Sequence, residues 1–163
     1  MLEYPGEEST VKEAQDYVKE YAEDGVYCPC CERLVKLYKR KLHSEMAAFL
    51  FRLVFAYKTS PRWYSTRELV PGTSKSTTDG SYLVHWDLVQ KEPAKNNSGG
   101  KVGSYKPTQR GIDFVMGELV VPSHIHMLCG ELVGYSDDYV TFAECIENKF
   151  DYDELMKGMR GEE

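Results

Sequence analysis

The chain has 163 residues and a formal net charge of −6, a size that predicts one domain able to bury a core without disulfide bonds. We expect no membrane segment, since no apolar run approaches the roughly 20 residues that a spanning helix needs, and no secretory signal, since the acidic N-terminus lacks an apolar core. An odd number of cysteines, five, favours a reduced cytoplasmic protein over a disulfide framework.

Residues 9–23 predict an acidic amphipathic helix. Apolar side chains recur there at steps of three and four, Ser9 or Thr10 can cap its start, and Glu13 lies in the first turn. Gly25 is placed to end the helix, because glycine readily adopts the left-handed conformation found after helix ends. We expect the acidic side of the helix to face solvent.

A cysteine-rich turn follows this helix. Cys28 and Cys31 have the C-x-x-C spacing with which one turn offers two thiolates to a tetrahedral zinc ion, and Cys30 adds a third thiol. No other cysteines or histidines of the sequence have the spacing of a second such pair. A structural zinc site and a reduced, metal-free turn therefore stay open as alternatives.

A winged helix-turn-helix is the fold predicted for the middle of the chain. Its long first helix would run from about Leu34 to Tyr57, and the apolar residues at steps of three and four form one stripe: Val35, Tyr38, Leu42, Met46, Phe49, Leu53 and Tyr57. Ser65 would cap a brief second helix with Glu68 in the capping-box position. Pro71 and Gly72 would stop that helix.

Residues 79–87 are expected to form the recognition helix, which in such modules presents its N-terminal side chains to base edges. The predicted contacts at and before its start are Lys75, Ser76, Thr77, Thr78, Ser81, Tyr82 and His85. Leu83, Trp86 and Leu88 would face the core. The helix has no arginine and carries Asp79 and Asp87, so direct base reading is weakly supported.

The wing is predicted between strands at residues 88–92 and 102–107. Its tip offers lysines for phosphate groups and amides for hydrogen bonds, namely Lys95, Asn96, Asn97 and Lys101. The alternative is an ordinary flexible loop, since asparagine and glycine are common in loops.

A capped helix at 108–117 is expected after the wing. Two or three strands should follow, at about 125–129, 131–135 and 139–142, and then a short acidic helix at 150–157. The chain is thus predicted to be an α+β protein of three parts: an acidic helix and cysteine knuckle (1–32), a winged-helix domain (33–117), and a β-hairpin with an acidic C-terminal helix packed on the same core (118–163).

Charge is segregated along these parts. Residues 1–32 carry a net charge of −7, residues 33–110 a net charge of +10 and residues 111–163 a net charge of −9. A basic middle segment is the pattern expected if that segment faces phosphates, and it is equally expected if the basic middle pairs with the acidic ends within the fold. Because the winged-helix pattern lies in this segment, we predict binding of double-stranded DNA as a regulator or accessory factor. The alternative is a factor that binds a host protein through the winged helix and the acidic ends.

Four runs of the sequence carry a family resemblance: CPCCERLVKLYKRKLHSEMAAFL, SYLVHWDLVQ, PTQRGIDFVMGELVVPSHI and KFDYDELMKG. They resemble blocks of a group of small uncharacterised phage and prophage proteins that are winged-helix-like and begin with a CPxC knuckle. The resemblance covers most of residues 26–157. It implies a winged-helix fold and a location in the cytoplasm of a bacterial host, but it implies no activity. The chain departs from the group at Asp87, where the group tends to have glycine, and at the additional Cys30.

His124 and His126 are spaced to share one face of a strand, where with Cys129 they could meet a metal ion. We favour solvent-facing residues of a hairpin, because no paired base or nucleophile accompanies the two histidines. The sequence is therefore not predicted to be that of an enzyme.

Overall fold

A computed structural model of the protein describes residues 2–69, 80–93 and 103–146. The fold is α+β, with helices and small antiparallel sheets. The described elements, in chain order, are α1 (Val11–Tyr21), β1 (Val26–Tyr27), β2 (Leu34–Val35), β3 (Tyr38–Lys41), α2 (Ser44–Thr59), β4 (Tyr64–Ser65), α3 (Thr66–Leu69), a 3-10 helix (Gly80–Trp86), β5 (Val89–Lys91), β6 (Ser104–Pro107), α4 (Gln109–Val115), β7 (Val121–Pro122), β8 (His124–Leu128), β9 (Glu131–Tyr135), β10 (Tyr139–Val140) and α5 (Phe142–Ile146).

The described residues form two compact units. The first combines residues 2–41 with 124–136, and the second combines those between 42 and 123 with 137–146. Within the described ranges, no helix has the length and apolar character needed to cross a membrane. The division after residues 32 and 117 that the sequence suggests stays a prediction.

The first unit begins with the predicted capped helix. The Thr10 hydroxyl accepts a hydrogen bond from the Glu13 amide at 3.2 Å, and the Glu13 carboxylate accepts one from the Thr10 amide at 2.7 Å, which is a complete capping box. Gly25 has φ +97°, and its amide donates to the Tyr21 carbonyl at 3.1 Å. The predicted helix and its end are confirmed, with bounds at Val11 and Tyr21.

The predicted long helix from Leu34 to Tyr57 is wrong in its first part. Residues Leu34–Val35 pair with Val26–Tyr27 as a hairpin, and Tyr38–Lys41 pairs with β8 in a sheet of order β3–β8–β9. The helix α2 begins only at Ser44. The spacing of Val35, Tyr38 and Leu42 suits a helix, but a partner strand distant in sequence decides the conformation.

The second unit packs around α2. The buried residues of this helix are Met46, Ala47, Phe49, Leu50, Leu53 and Val54, and the helix contacts α4, α5 and β6. Leu83, Trp86 and Leu88 are buried as predicted. The aromatic rings of Phe114 and Phe142 meet edge to face at 5.7 Å, so α4 and α5 share this core.

Three strands of the second unit form an antiparallel sheet in the order β4–β6–β5. The predicted strands on either side of residues 94–102 are confirmed at Val89–Lys91 and Ser104–Pro107. The short helix α3 is also confirmed, since the Ser65 amide donates to Glu68 Oε2 at 2.7 Å and the Ser65 hydroxyl accepts from the Glu68 amide at 3.3 Å. The predicted turn at Pro71 and Gly72 lies outside the described residues.

Two β-strands predicted near the C-terminus are confirmed, and one is cut short. The strands β8 and β9 form the expected hairpin, whereas the strand expected at 139–142 ends at Val140. Phe142 begins helix α5 instead, because Thr141 and Glu144 exchange capping hydrogen bonds at 3.1 and 3.2 Å. The helix predicted at 150–157 lies outside the described residues.

Asp87 follows the 3-10 helix with φ +59°. This left-handed conformation favours glycine, and aspartate tolerates it better than most other residues do. The Asp87 carbonyl accepts a hydrogen bond from the Thr108 hydroxyl at 2.6 Å, which joins the end of the 3-10 helix to the start of α4.

Replacing Thr108 with alanine is expected to reduce the free energy of unfolding by about 1–2 kcal/mol. The Thr108 hydroxyl accepts from the Gly111 amide at 3.0 Å and also donates to the Asp87 carbonyl, so both partners lose a bond. Urea unfolding followed by circular dichroism measures the change. Thr108→Ser keeps the hydroxyl and is the control. An alanine variant as stable as the serine variant would show that the cap contributes nothing.

Candidate nucleic-acid interface

One face of the sheet in the second unit combines a cation with uncharged polar groups. Along β6, Tyr105 and Pro107 are buried, whereas Ser104 and Lys106 are partly exposed, so the alternation of a strand places the latter two on the outward face. Gln90 of β5 is the register partner of Lys106 and is exposed. Directly opposite residues in an antiparallel pair share a face, and Gln90 therefore extends this surface.

Trp63 adds an aromatic ring beside the cation. The Lys106 Nζ lies 4.7 Å from the centroid of the Trp63 ring, inside the roughly 6 Å over which a cation and an aromatic face attract each other. An aromatic ring next to an ammonium group is a combination that suits stacked bases and phosphates. We call these four residues the outward sheet face: Trp63, Gln90, Ser104 and Lys106.

Arg62 lies next to this face but is engaged by protein groups. Its Nη1 donates to the Trp63 carbonyl at 2.8 Å and to Glu68 Oε1 at 3.4 Å, and its guanidinium lies 3.9 Å from the centroid of the Tyr64 ring. The Ser65 amide, with a smaller effect from Arg62, lowers the pKa of the Glu68 carboxyl, which keeps Glu68 anionic at neutral pH. Glu68 offsets the charge of Arg62, so Lys106 is the better candidate for phosphate contact.

The predicted recognition helix is a 3-10 helix, Gly80–Trp86. Ser81 is exposed, and Tyr82 and His85 are half-buried with their ring centroids 6.3 Å apart, as residues three apart in a 3-10 helix lie above one another. These three predicted contacts therefore lie along one short element. The remaining predicted contacts are outside the described residues: Lys75, Ser76, Thr77, Thr78, Lys95, Asn96, Asn97 and Lys101.

The cysteine turn of the first unit closes the β1–β2 hairpin. The Cys28 amide donates to the Arg33 carbonyl at 2.8 Å, and the Glu32 amide donates to the Cys28 carbonyl at 2.9 Å. The Cys28 Sγ accepts from the Cys30 amide at 3.4 Å. The backbone amides of Cys30 and Cys31 lower the pKa of the Cys28 thiol, because donors aimed at the sulfur stabilise the thiolate. Lost hydration and the negative charge of Cys28 raise the pKa of Cys30.

The sheet of the first unit places lysines opposite histidines. In the register of β3 and β8, Lys39 pairs with His126 and Lys41 pairs with His124, so all four side chains share one face, and the two histidines do so as predicted. Lys39 Nζ also lies 3.5 Å from Glu23 Oε1. Sequence reasoning missed this cluster because only the register between two distant strands brings the lysines and the histidines together.

Trp63 and Lys106 were missed for the same reason. The alternation of Ser104–Pro107 indicates that Lys106 points outward, but its contact with Trp63 depends on the pairing of β4 with β6. That pairing has no signal in the local sequence. A hairpin alone predicts that β5 and β6 are neighbours, and it does not predict the third strand.

No group of three or more histidine, cysteine, aspartate or glutamate side chains is arranged to hold a metal ion within the described parts of the chain. The zinc site predicted at Cys28 and Cys31 stays a hypothesis, as does the alternative with His124, His126 and Cys129. None of the five cysteines, all of which lie in the described ranges, forms a disulfide bond, and Cys129 is exposed.

Comparisons of the chain with models of protein families, with curated proteins and with solved structures found no match. The resemblance to small phage proteins therefore rests on the four sequence runs alone. Among the described residues, the outward sheet face brings a cation, an aromatic ring and uncharged polar groups together on one surface.

Proposed function

We propose that the second unit is a winged helix-turn-helix module and that the protein binds double-stranded nucleic acid as a regulator or accessory factor, without catalysing a reaction. The sheet order β4–β6–β5 carries this proposal. The short strand β4, which lies between α2 and α3, pairs with β6, the second strand of the later hairpin. It does not pair with β5, the next strand along the chain. A helix, a strand, two further helices and a hairpin, in this order, are the elements of a winged helix.

The chemistry around the hairpin supports contact with the nucleic-acid backbone. Lys106 and Trp63 lie at the base of the hairpin, and the sequence adds Lys95 and Lys101 between its two strands. Charge neutralisation by lysine supplies most of the affinity of non-specific binding. Asp87 gives the end of the proposed recognition helix a negative charge, so we assign the larger share of binding to the hairpin.

Reversing the charge of Lys95 and Lys101 together is expected to weaken binding to a labelled DNA duplex and to flatten its dependence on salt. Each phosphate contact that is lost should reduce the slope of log K against log salt by about 0.9, so the double variant should lose about twice that. Lys106→Glu removes one expected phosphate contact, so the slope of log K against log salt should fall by about 0.9. Fluorescence anisotropy over a series of salt concentrations measures both the affinity and the slope.

Lys12→Glu is the matched control for these variants. Lys12 lies on α1 in the first unit, is exposed and pairs with Asp16 at 2.7 Å, and its reversal changes the net charge of the protein by the same amount as Lys106→Glu. The control should keep most of the salt slope of the parent protein. If Lys12→Glu reduces the slope as much as Lys106→Glu does, binding reflects net charge, and the proposed interface is wrong.

Exposed apolar side chains favour the alternative, a protein that binds a host protein. Tyr4 and Val11 of the first unit are 67% and 69% exposed and line the same surface pocket, and exposed apolar side chains that lie together mark sites of contact with other proteins. The alternative predicts that the intact protein does not bind the duplex even at low salt. It also predicts a defined complex with one host protein, and Val11→Asp should disrupt that complex.

A further inference from the structure

We propose that Cys28 and Cys31 are ligands of a thiophilic d10 cation such as zinc, and that two copies of the chain share one ion through a set of four thiolates. The site would lie at the tip of the β1–β2 hairpin. It would be structural, and it would join two protomers independently of nucleic-acid binding.

The hairpin places a backbone amide where it can support a thiolate at Cys28, the form of the ligand that such an ion requires. The Cys30 amide points at the Cys28 Sγ from 3.4 Å, an arrangement that stabilises a negatively charged sulfur before any metal binds. Two further bonds, Cys28 amide to Arg33 carbonyl and Glu32 amide to Cys28 carbonyl, close the turn on both sides. Cys31 lies three residues after Cys28 and is exposed, the spacing at which one turn supplies two zinc ligands.

A second copy of the chain is needed because one turn supplies only two of the ligands that a structural zinc ion takes. A structural zinc ion takes four ligands in a tetrahedron, and the turn supplies two. Every cysteine and histidine of the chain lies within the described ranges, and in those ranges no three donors converge. Two identical turns related by a two-fold axis supply two pairs of thiolates, which provides the four ligands that the tetrahedron needs.

Apolar side chains flank the turn where the second copy would approach. Tyr27 and Leu34 are directly opposite each other across β1 and β2, and they are 67% and 56% exposed. Tyr27 immediately precedes Cys28. Directly opposite residues of an antiparallel pair lie on one face. Two hairpins that meet at a shared ion would bring these side chains together and remove apolar surface from water.

The test uses the full-length protein, reduced, freed of metal with a chelator and then titrated with zinc. We expect one zinc ion per two chains by chromophoric chelator competition, and a change from monomer to dimer by light scattering after size exclusion. Cobalt in place of zinc should give the intense absorption of a tetrahedral thiolate site. Cys28→Ser and Cys31→Ser should each abolish the dimer.

Cys129→Ser is the matched control, since Cys129 is an exposed free thiol of the same unit, and it should leave metal content and dimerisation unchanged. Cys30→Ser should also keep the ion. Circular dichroism spectra of all four variants should match that of the parent chain, because the substitutions are conservative and the turn is at the surface. One zinc per monomer, no bound zinc, or a dimer that persists in chelator would each overturn the proposal.

Discussion

Replacing Gly111 with alanine should reduce the free energy of unfolding by about 3 kcal/mol. Gly111 is buried in α4, and a Cβ there would overlap the carbonyl oxygen of Leu88 and lie 3.1 Å from its carbonyl carbon. This neighbour is backbone, so it cannot rotate away as a flexible side chain would. The Leu88 carbonyl also accepts a hydrogen bond from the Thr108 amide at 3.0 Å, and moving it would disturb the start of the helix.

Urea unfolding followed by circular dichroism measures the effect of Gly111→Ala. Gly6→Ala is the control, because a Cβ at Gly6 meets nothing within 4 Å, and the change in its unfolding free energy should stay within about 0.5 kcal/mol. Equal stability of the two alanine variants would show that α4 does not approach the Leu88 carbonyl as closely as described. A loss of cooperativity for Gly111→Ala alone would indicate that α4 separates from the second unit.

Truncating Trp86 to alanine should have the largest effect of all, about 3–5 kcal/mol. The side chain is 2% exposed, and its Nε1 donates to the Pro122 carbonyl at 2.7 Å, so the indole both fills the core and holds β7 against the 3-10 helix. Trp86→Phe keeps most of the volume but leaves the Pro122 carbonyl without this donor, which should cost about 1–3 kcal/mol.

Fluorescence provides a direct check of this environment, because the chain has two tryptophans. In a Trp63→Phe variant the emission comes from Trp86 alone, and we expect it at short wavelength when folded and shifted to the red in urea. Trp63→Phe is also the stability control, since the Trp63 side chain is only half-buried. Emission of native Trp86 at the wavelength of a solvent-exposed indole would contradict its burial.

Local signals in the sequence predicted the elements that local contacts determine. Thr10 with Glu13, Ser65 with Glu68, and Thr108 each cap a helix through side chains within three residues, so the pattern and its physical cause are adjacent in the chain. Thr141 and Glu144 form the same kind of cap. That helix was missed because the apolar residues before it were interpreted as a continuing strand.

Local sequence patterns do not predict which distant segments pair as strands. Residues 34–41 have the apolar spacing of a helix, yet β1 and β8 supply partners that make them strands. The same limit applies to the candidate interface. Lysines in a basic segment were identified from composition, whereas the stacking of Lys106 on Trp63 requires β4 and β6 to be neighbours. The sequence therefore predicts which residue types the candidate interface contains, but it does not predict which of those residues contact each other.

The sheet order has a consequence for the time course of folding. Tyr64 of β4 pairs with Tyr105 of β6, and Tyr38 of β3 pairs with Met127 of β8. Each of these early strands can therefore pair only after a strand much later in the sequence has been synthesised. Contacts this distant in sequence slow the search for the native state. We infer that neither unit completes its sheet during early synthesis, and that the nascent chain keeps the edges of β3 and β4 exposed until most of the polypeptide has emerged.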